Sequence, residues 1–456
     1  MHPREADKAG IVSHFPSPSA FSLPPAPLSL PALRPPLIRM SAASFSLLFV
    51  LFLVASTAIK SGLMLRQIRH VAARRGTVPE PFSDSIGLTA HQRAADYTVA
   101  RMRLAGVETL TSAVFVLALT LGGLLQTAHA LVGQLWPTGN LLHGVALLAG
   151  IALASWLIEL PFSLYRIFVI EKRFGFNRMT PALFISDTLK EGLLAALVGL
   201  PLLASVLWLM GAMGEYWWLW VWAFWLSFNL LVLLIWPTFI APLFNTFTPL
   251  SDDALKNRVE ALLQRCGFKA KGLYVMDGSR RSAHGNAYFT GFGAARRIVF
   301  FDTLLDKLAP AEVEAVLAHE LGHFRHRHIV KRLAVLAPLS LALLALLGWL
   351  VTQPWFFGGL GAHSQDTATA LALFFIALPA FTFPLGPLMS HWSRRHEFEA
   401  DAYAAAQTHA SDLVAALTKL YRDNASTLTP DPLYSRFFDS HPPAAIRIAR
   451  LQALPE

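Results

Sequence analysis

The sequence contains one cysteine, Cys266, in 456 residues. A single cysteine excludes an intrachain disulfide framework, a set of cysteine metal ligands and an iron–sulfur centre. Any bound metal must therefore be held by histidine, aspartate or glutamate. Charged residues are also scarce, at 15% of the chain, whereas 54% is hydrophobic. Because this composition is too apolar to cover a soluble domain with charge, it indicates a membrane protein.

Seven apolar stretches reach or approach the length that a helix needs to cross about 30 Å of hydrocarbon. They cover residues 44–59, 110–132, 143–164, 190–212, 217–236, 333–352 and 370–390. Residues 1–40 are instead rich in proline, which predicts a disordered leader. The first apolar run begins only after Met40, too late for a secretory signal peptide, and Met40 could itself start translation.

Basic residues are distributed unevenly over the loops between these spans. Loops 133–142, 213–216 and 353–369 contain no lysine or arginine, whereas the first and third loops are rich in them. Basic loops stay on the cytoplasmic side, so the first, third and fifth loops and the C-terminus are predicted to be cytoplasmic. Topology thus accounts for the net charge of +9, and no nucleic-acid partner is expected. The host membrane would be the bacterial inner membrane, or the endoplasmic reticulum of a eukaryote.

The fifth loop is the only long polar insertion, and its patterns indicate a small folded domain. Helical spacing of apolar residues covers 252–268 and resumes at 310–328, and short β-type runs cover 272–277, 286–292 and 297–302. The predicted fold is an all-α integral membrane protein with a small α+β domain between the fifth and sixth of its seven transmembrane helices. Its predicted parts are the leader 1–40, helices one to five in 41–236, the insertion 237–332, helices six and seven in 333–392, and a C-terminal helical segment 393–456.

The last helix of the insertion contains the sequence HELGH at residues 319–323. Residues four apart share one helical face, so His319 and His323 can bind the same Zn²⁺. Glu320 lies one residue further round, where its carboxylate can accept a proton from the attacking water. The motif alone is suggestive, because 16 histidines make a chance match possible.

A catalytic zinc site needs a third protein ligand and one open position. The metzincin pattern requires a histidine at position 329, which is Ile329. The other common solution is a glutamate from a later helix, and the sixth and seventh spans return the chain to the side that it left. We therefore predict Glu397 as the third ligand of one Zn²⁺ per chain. Asp401, one turn later, is predicted to accept the other ring N–H of a zinc histidine.

The charges around HELGH locate the helix relative to the membrane. Arg325, Arg327, Lys331 and Arg332 follow it directly. So many charges inside hydrocarbon would be very costly, which excludes an intramembrane protease of the site-2 type. The zinc helix is therefore predicted at or inside the cytoplasmic boundary. Glu399 is predicted to be exposed or ion-paired.

Five segments together resemble the type I CAAX prenyl protease family of multi-pass zinc metalloendopeptidases, over residues 41–450. They are HELGH with the following basic residues and His328, SRRHEFEADAYA (393–404), NAYFTGF (286–292), FVIEKRFGFN (168–177), and SHPP with Arg447 (440–447). The resemblance implies a chamber enclosed by the seven helices, with the zinc site facing its interior. It also implies cleavage of prenylated C-a-a-X tails in eukaryotic members. The expected partners are a peptide or protein substrate, prenylated or not, and membrane lipid.

The reaction also requires groups that hold the peptide and stabilise the developing oxyanion. Strand addition to a sheet edge would hold the peptide extended, and Asn286, Ala287 and Tyr288 form the candidate edge. The alternative is an ordinary core strand. His441 and Arg447 are candidate donors to the oxyanion and substrate. The alternative for His441 is a surface residue that caps the final helix.

Two other functions stay open from the residues alone. A seven-span transporter would explain the hydropathy but not the return of a carboxylate helix to the side of HELGH. A catalytically silent zinc-binding scaffold would keep the three ligands, and only the chemistry of Glu320 separates it from a protease. The oligomeric state is not indicated by the sequence.

Overall fold

The computed structural model describes residues 40–290 and 297–454. The leader predicted for residues 1–40 lies outside this part except for Met40. Within it, seven helices are long and apolar enough to cross a membrane. The first five crossings contain α1 (Ala42–Ala73), α2 (Leu88–Leu119), α4 (Leu141–Tyr165), α5 (Pro181–Leu194), α6 (Leu200–Ala212) and α7 (Trp217–Ile235), and the short helix α3 (Leu124–Gly133) lies between the second and third crossings.

The predicted second span, residues 110–132, is wrong in its bounds. Helix α2 starts 22 residues earlier, at Leu88, and ends at Leu119, before the separate helix α3. The break lies at two glycines. A Cβ atom at Gly122 would lie 2.8 Å from the Cα of Ala118, and Gly123 has a φ of 76°. Because apolar residues continue through the break, hydropathy could not reveal it.

The membrane helices enclose a chamber. In a solid bundle the inward face of each helix would be buried against its neighbours. In six of the seven crossings, at most 22% of the most apolar window is buried inside the protein. The helices therefore border open space on the inside as well as lipid on the outside. A compact cluster that includes Phe49, Leu147 and Phe356 packs the starts of α1 and α4 against residues of the sixth loop, at the end remote from the inserted domain.

The inserted domain contains the strands β1 (Phe247–Pro249), β2 (Gly272–Met276), β3 (Ala287–Thr290) and β4 (Arg297–Phe301) and the helices α8 (Asp253–Arg265), α9 (Asp302–Leu305) and α10 (Pro310–Arg325). The strand order is β1-β2-β4-β3, with β2 and β4 parallel and the other pairs antiparallel. Among the described residues, β3 is therefore an edge strand. Val259, Ile298 and Phe300 are buried between the sheet and the helices.

The remainder contains α11 (His328–Leu350), α12 (Pro354–Gly359), α13 (Thr367–Thr382), α14 (Gly386–Gln407), α15 (Ala410–Asp423), α16 (Pro432–Phe438) and α17 (Ala444–Gln452). A short 3-10 segment joins α13 to α14, so the seventh crossing continues into the helix that contains Glu397. Seven apolar crossings with a small mixed sheet inserted before the sixth confirm the predicted fold class.

Candidate metal centre

Helix α10 carries the two candidate metal histidines, and its first turn is well anchored. Pro310 occupies a position where an N–H would have no helical partner. The Glu312 carboxylate accepts a hydrogen bond from the backbone N–H of Ala309 at 2.7 Å and another from Lys419 Nζ at 2.8 Å. Leu321, between the histidines, is fully buried in the domain core. The helix is thus fixed with both imidazoles on one face.

Helix α14 approaches α10 closely because Gly322 has no side chain. A Cβ atom at Gly322 would lie 2.8 Å from the Cα of Ala400. Ala400 and Ala404 are themselves small and completely buried. The close approach places Glu397, one turn before Ala400, opposite the histidine pair. The glycine of HELGH therefore has a packing role that the sequence analysis did not assign.

His319, His323 and Glu397 present three ligand atoms to one point, with all of them within 4.8 Å of one another. His319 Nε2 lies 3.3 Å from His323 Nε2 and 3.6 Å from Glu397 Oε2, and His323 Nε2 lies 3.5 Å from Glu397 Oε1. Metal–ligand bonds of about 2.0–2.1 Å at tetrahedral angles would place neighbouring donor atoms roughly 3.4 Å apart. The donor set and its spacing therefore fit a zinc ion.

The first histidine is oriented by a buried carboxylate. Asp401 Oδ1 lies 2.9 Å from His319 Nδ1, which is the position that the prediction for Asp401 requires. The guanidinium of Arg447 holds that carboxylate in turn, with Nε and Nη2 donating at 2.9 and 2.6 Å. Because Nδ1 of His319 faces an acceptor, Nε2 is the nitrogen left to bind a metal.

The second histidine is oriented by a residue whose role was missed. His328 Nδ1 lies 2.8 Å from His323 Nδ1, and His328 Nε2 lies 2.9 Å from Glu399 Oε2. Arg327, with a φ of 55°, lies between α10 and α11 and turns the chain so that His328 folds back on α10. Glu399 also lies 3.5 Å from Lys331, so it is ion-paired as predicted. The sequence did indicate that His328 belongs to the family pattern, but the pattern did not reveal that His328 contacts His323.

The site changes the protonation of the groups on α10. Burial alone would lower the pKa of His319, but hydrogen bonds to Asp401 and Glu397 outweigh it and raise the pKa to about 9. Burial, together with the nearby His319, lowers the pKa of His323 to about 3. Burial raises the pKa of Glu320. A metal that binds Nε2 of His319 must therefore displace a proton at neutral pH.

His441 and Arg447 both approach Oε2 of Glu397. His441 Nδ1 lies 2.7 Å from Glu397 Oε2, and 62% of its side chain is exposed. No side chain caps α17, so the alternative role for His441 is not observed. Arg447 is buried, and its Nε and Nη2 donate to Asp401. Its third nitrogen, Nη1, lies 3.7 Å from Glu397 Oε2. These contacts favour a positioning role for Arg447 over direct contact with substrate.

The candidate substrate strand is placed at a sheet edge, as predicted. Phe301 N donates to the carbonyl of Asn286 at 3.0 Å, and Tyr288 pairs with Val299 two residues further on. Alternate residues face opposite edges of an antiparallel strand, so the N–H and C=O of Ala287 point away from β4. The Ala287 N–H meets Asn286 Oδ1 at 2.8 Å. The Ala287 side chain packs in the core, and only its backbone can contact a peptide.

We expect His328→Gln to lower zinc affinity by about 10- to 100-fold, the usual cost of removing a partner of a metal histidine. The reason is that His323 would lose the contact that orients its ring. Competition with a chromogenic chelator measures the affinity. His326→Gln is the matched control, since His326 stacks on His328 at 5.6 Å without bonding to His323. Equal affinities of wild type and His328→Gln would remove His328 from the metal centre.

Two family models match consecutive parts of the chain. Residues 67–246 match the model described as CAAX prenyl protease N-terminal, five membrane helices. Residues 249–454 match the model described as peptidase family M48. The boundary between the two models falls where α7 gives way to the inserted domain.

Individual proteins match over most of the chain. A CAAX prenyl protease 1 homolog of Arabidopsis thaliana is 34% identical over 410 residues, which are 87% of this chain and 95% of the relative. CAAX prenyl protease 1 of Saccharomyces cerevisiae is 36% identical over 318 residues, covering 66% and 70%. The crystal structure of S. mikatae Ste24p superposes with a TM-score of 0.84 at 30% identity, covering 89% of this chain and 99% of that one.

Proposed function

Since the chain belongs to the CAAX prenyl protease family of M48 peptidases, and is therefore a multi-pass membrane metalloprotease, we propose that it removes the C-terminal tails of prenylated proteins. The observation that carries the proposal is the convergence of His319, His323 and Glu397 at tetrahedral spacing beside Glu320. Family membership also argues against a transporter and against a silent scaffold.

We propose that the metal is one Zn²⁺ per chain. Two imidazoles and one carboxylate are a common ligand set of catalytic zinc, with a fourth position left open. Held there, zinc would act as a Lewis acid toward the scissile carbonyl and would lower the pKa of water. Asp401 and His328 would keep the two imidazoles in the tautomers that present Nε2.

The remaining steps are assigned to side chains of the site. Glu320, next to the first ligand, would accept a proton from the attacking water and pass it to the leaving nitrogen. His441 stands on the exposed side of Glu397 and would donate to the oxyanion. Asn286, Ala287 and Tyr288 would hold the peptide extended along β3.

We place the metal centre on the cytoplasmic side. The loops on its side of the membrane are the basic ones, and α11 begins only three residues after the end of α10. A substrate anchored by a prenyl chain in the cytoplasmic leaflet could therefore reach the site from the lipid, with the chamber accommodating the apolar chain.

The proposal is tested with purified protein in lipid vesicles and a farnesylated C-a-a-X peptide. We expect its kcat/KM to exceed that of the unprenylated peptide by at least about tenfold, because burying two methylene equivalents already contributes that much. Mass spectrometry locates the cut after the prenylated cysteine. Equal cleavage of both peptides, or preferential cleavage of a misfolded membrane protein, would contradict a maturation role.

A further inference from the structure

A polar cavity of about 320 Å³ lies between the cytoplasmic part of α2 and the segment that follows α15. Its lining includes Tyr97 and Arg101 of α2, Asn424, Tyr434 and Asp439. None of these residues was singled out by sequence analysis as part of the site. None of the three candidate metal ligands lines the cavity. Two short segments connect it to the site, one leading to strand β3 and the other to His441.

The first shared segment leads to the substrate strand. Asn424 Oδ1 accepts a hydrogen bond from the backbone N–H of Gly285 at 3.2 Å. Gly285 directly precedes Asn286, at the beginning of the edge strand β3. One wall of the cavity is therefore hydrogen-bonded to the residue that directly precedes the peptide-binding edge.

The second shared segment leads to the metal. Asp439 lines the cavity, and His441, two residues later, lies 2.7 Å from Glu397. Two residues span at most about 7 Å of chain. The cavity thus lies close to the metal centre, next to the start of β3.

Strand direction predicts which end of a peptide reaches this cavity. A peptide that pairs antiparallel with β3 ends beside the beginning of that strand, because the two chains run in opposite directions. Its C-terminal residues therefore lie next to Asn286 and Gly285. An extended tripeptide reaches about 10 Å, which is the length released from a C-a-a-X tail.

The cavity carries the charge that a free chain end requires. Arg101 is exposed, and its guanidinium lies 5.5 Å from the centre of the Tyr97 ring. The Tyr97 hydroxyl donates a hydrogen bond to Glu171, and Arg101 interacts with both side chains. Asp439 is the acidic residue of the lining, and burial raises its pKa, which favours the uncharged form. A carboxylate accepts two hydrogen bonds from one arginine.

We propose that this cavity binds the C-terminal carboxylate of the substrate, with Arg101 as the specificity-determining cation. The proposal rests on the proposed peptidase function and deepens it. It makes the enzyme selective for a cut three residues from a free chain end. A charge-assisted pair of hydrogen bonds would anchor the end, and β3 would align the preceding residues.

The test compares two farnesylated peptides that differ only in a C-terminal carboxylate or carboxamide, with the full-length protein in vesicles. We expect wild type to cleave the acid about 10- to 100-fold faster in kcat/KM. Arg101→Gln should lower cleavage of the acid to the level of the amide and leave the amide unchanged. Arg101→Lys should restore part of the preference.

Arg103→Gln is the matched control, because Arg103 is exposed on the same helix but does not line the cavity. It should keep the full preference for the acid. Equal cleavage of the acid and the amide by wild type would overturn the proposal that the cavity binds the C-terminal carboxylate, but not the proposed peptidase function. An equal loss on both peptides in Arg101→Gln would also overturn it, since that indicates a structural role. Cleavage of neither peptide by wild type would instead contradict the proposed function.

Discussion

The variant Glu320→Gln is expected to lower kcat for peptide cleavage by about 10²–10⁴-fold, the usual contribution of a general base. Zinc content should stay at one per chain, because Glu320 is not among the three converging ligands. Glutamine keeps the size of the side chain but cannot accept the proton. Metal analysis and a steady-state assay on the same sample measure both quantities.

The pH profile provides an independent readout of the same residue. Burial raises the pKa of Glu320, although the charge of His319 opposes the shift. Cleavage by wild type should fall as the pH drops through the pKa of Glu320, because the protonated carboxyl is no longer a base. The residual activity of Glu320→Gln should lack that limb.

Glu260→Gln, an exposed position on α8, is the matched control for the loss of one carboxylate and should behave as wild type. Retained cleavage by Glu320→Gln would remove this residue from the mechanism. Loss of zinc together with activity would show that Glu320 acts on the metal site and not on the proton.

The convergence of the three candidate metal ligands was predictable because their positions follow from simple geometry. Helical periodicity puts His319 and His323 on one face, and two membrane crossings return Glu397 to their side. The sequence contains both facts directly. Asp401 followed from the same periodicity, one turn after Glu397, and the structure places it 2.9 Å from His319 Nδ1.

The partners of these ligands were less accessible from sequence. The contact between His328 and His323 depends on the left-handed conformation of Arg327, which is rare for a residue other than glycine. The contact of Arg447 with Asp401 joins helices whose packing angle no local pattern encodes. The end of α2 was missed because the apolar run continues through the two glycines that break it.

Each imidazole of the centre is backed by a separate chain of polar groups. One chain runs from His319 through Asp401 to Arg447, and it is buried throughout. The other runs from His323 through His328 to Glu399, which is partly exposed. The buried chain contains a full ion pair, so removing one partner would leave an uncompensated charge. We infer that a substitution of Asp401 or Arg447 lowers the stability of the protein more than a substitution of Glu399.

The variant Glu397→Ala is expected to have the largest effect, with loss of zinc and of all cleavage. The carboxylate supplies one of only three protein ligands, so the fall in zinc affinity should exceed the 10- to 100-fold typical of an outer partner. Zinc per chain after dialysis and cleavage of the farnesylated peptide measure the result. Full zinc occupancy in this variant would mean that another residue is the third ligand.

The thermal stability of two variants should distinguish Glu397 from Glu399, its neighbour on the same helix. Glu397 is 4% exposed and contacts His319, His441 and Arg447, so its loss leaves the buried His319 and Arg447 with Asp401 as their one remaining acidic contact. Breaking a buried pair in this way costs about 3–5 kcal/mol, which should lower the Tm even of the metal-free protein. Glu399→Gln, two residues later and partly exposed, should change the Tm little and reduce zinc affinity only through His328. Similar behaviour of the two variants would contradict the assignment of Glu397 as the ligand, because only Glu397 contacts both imidazoles.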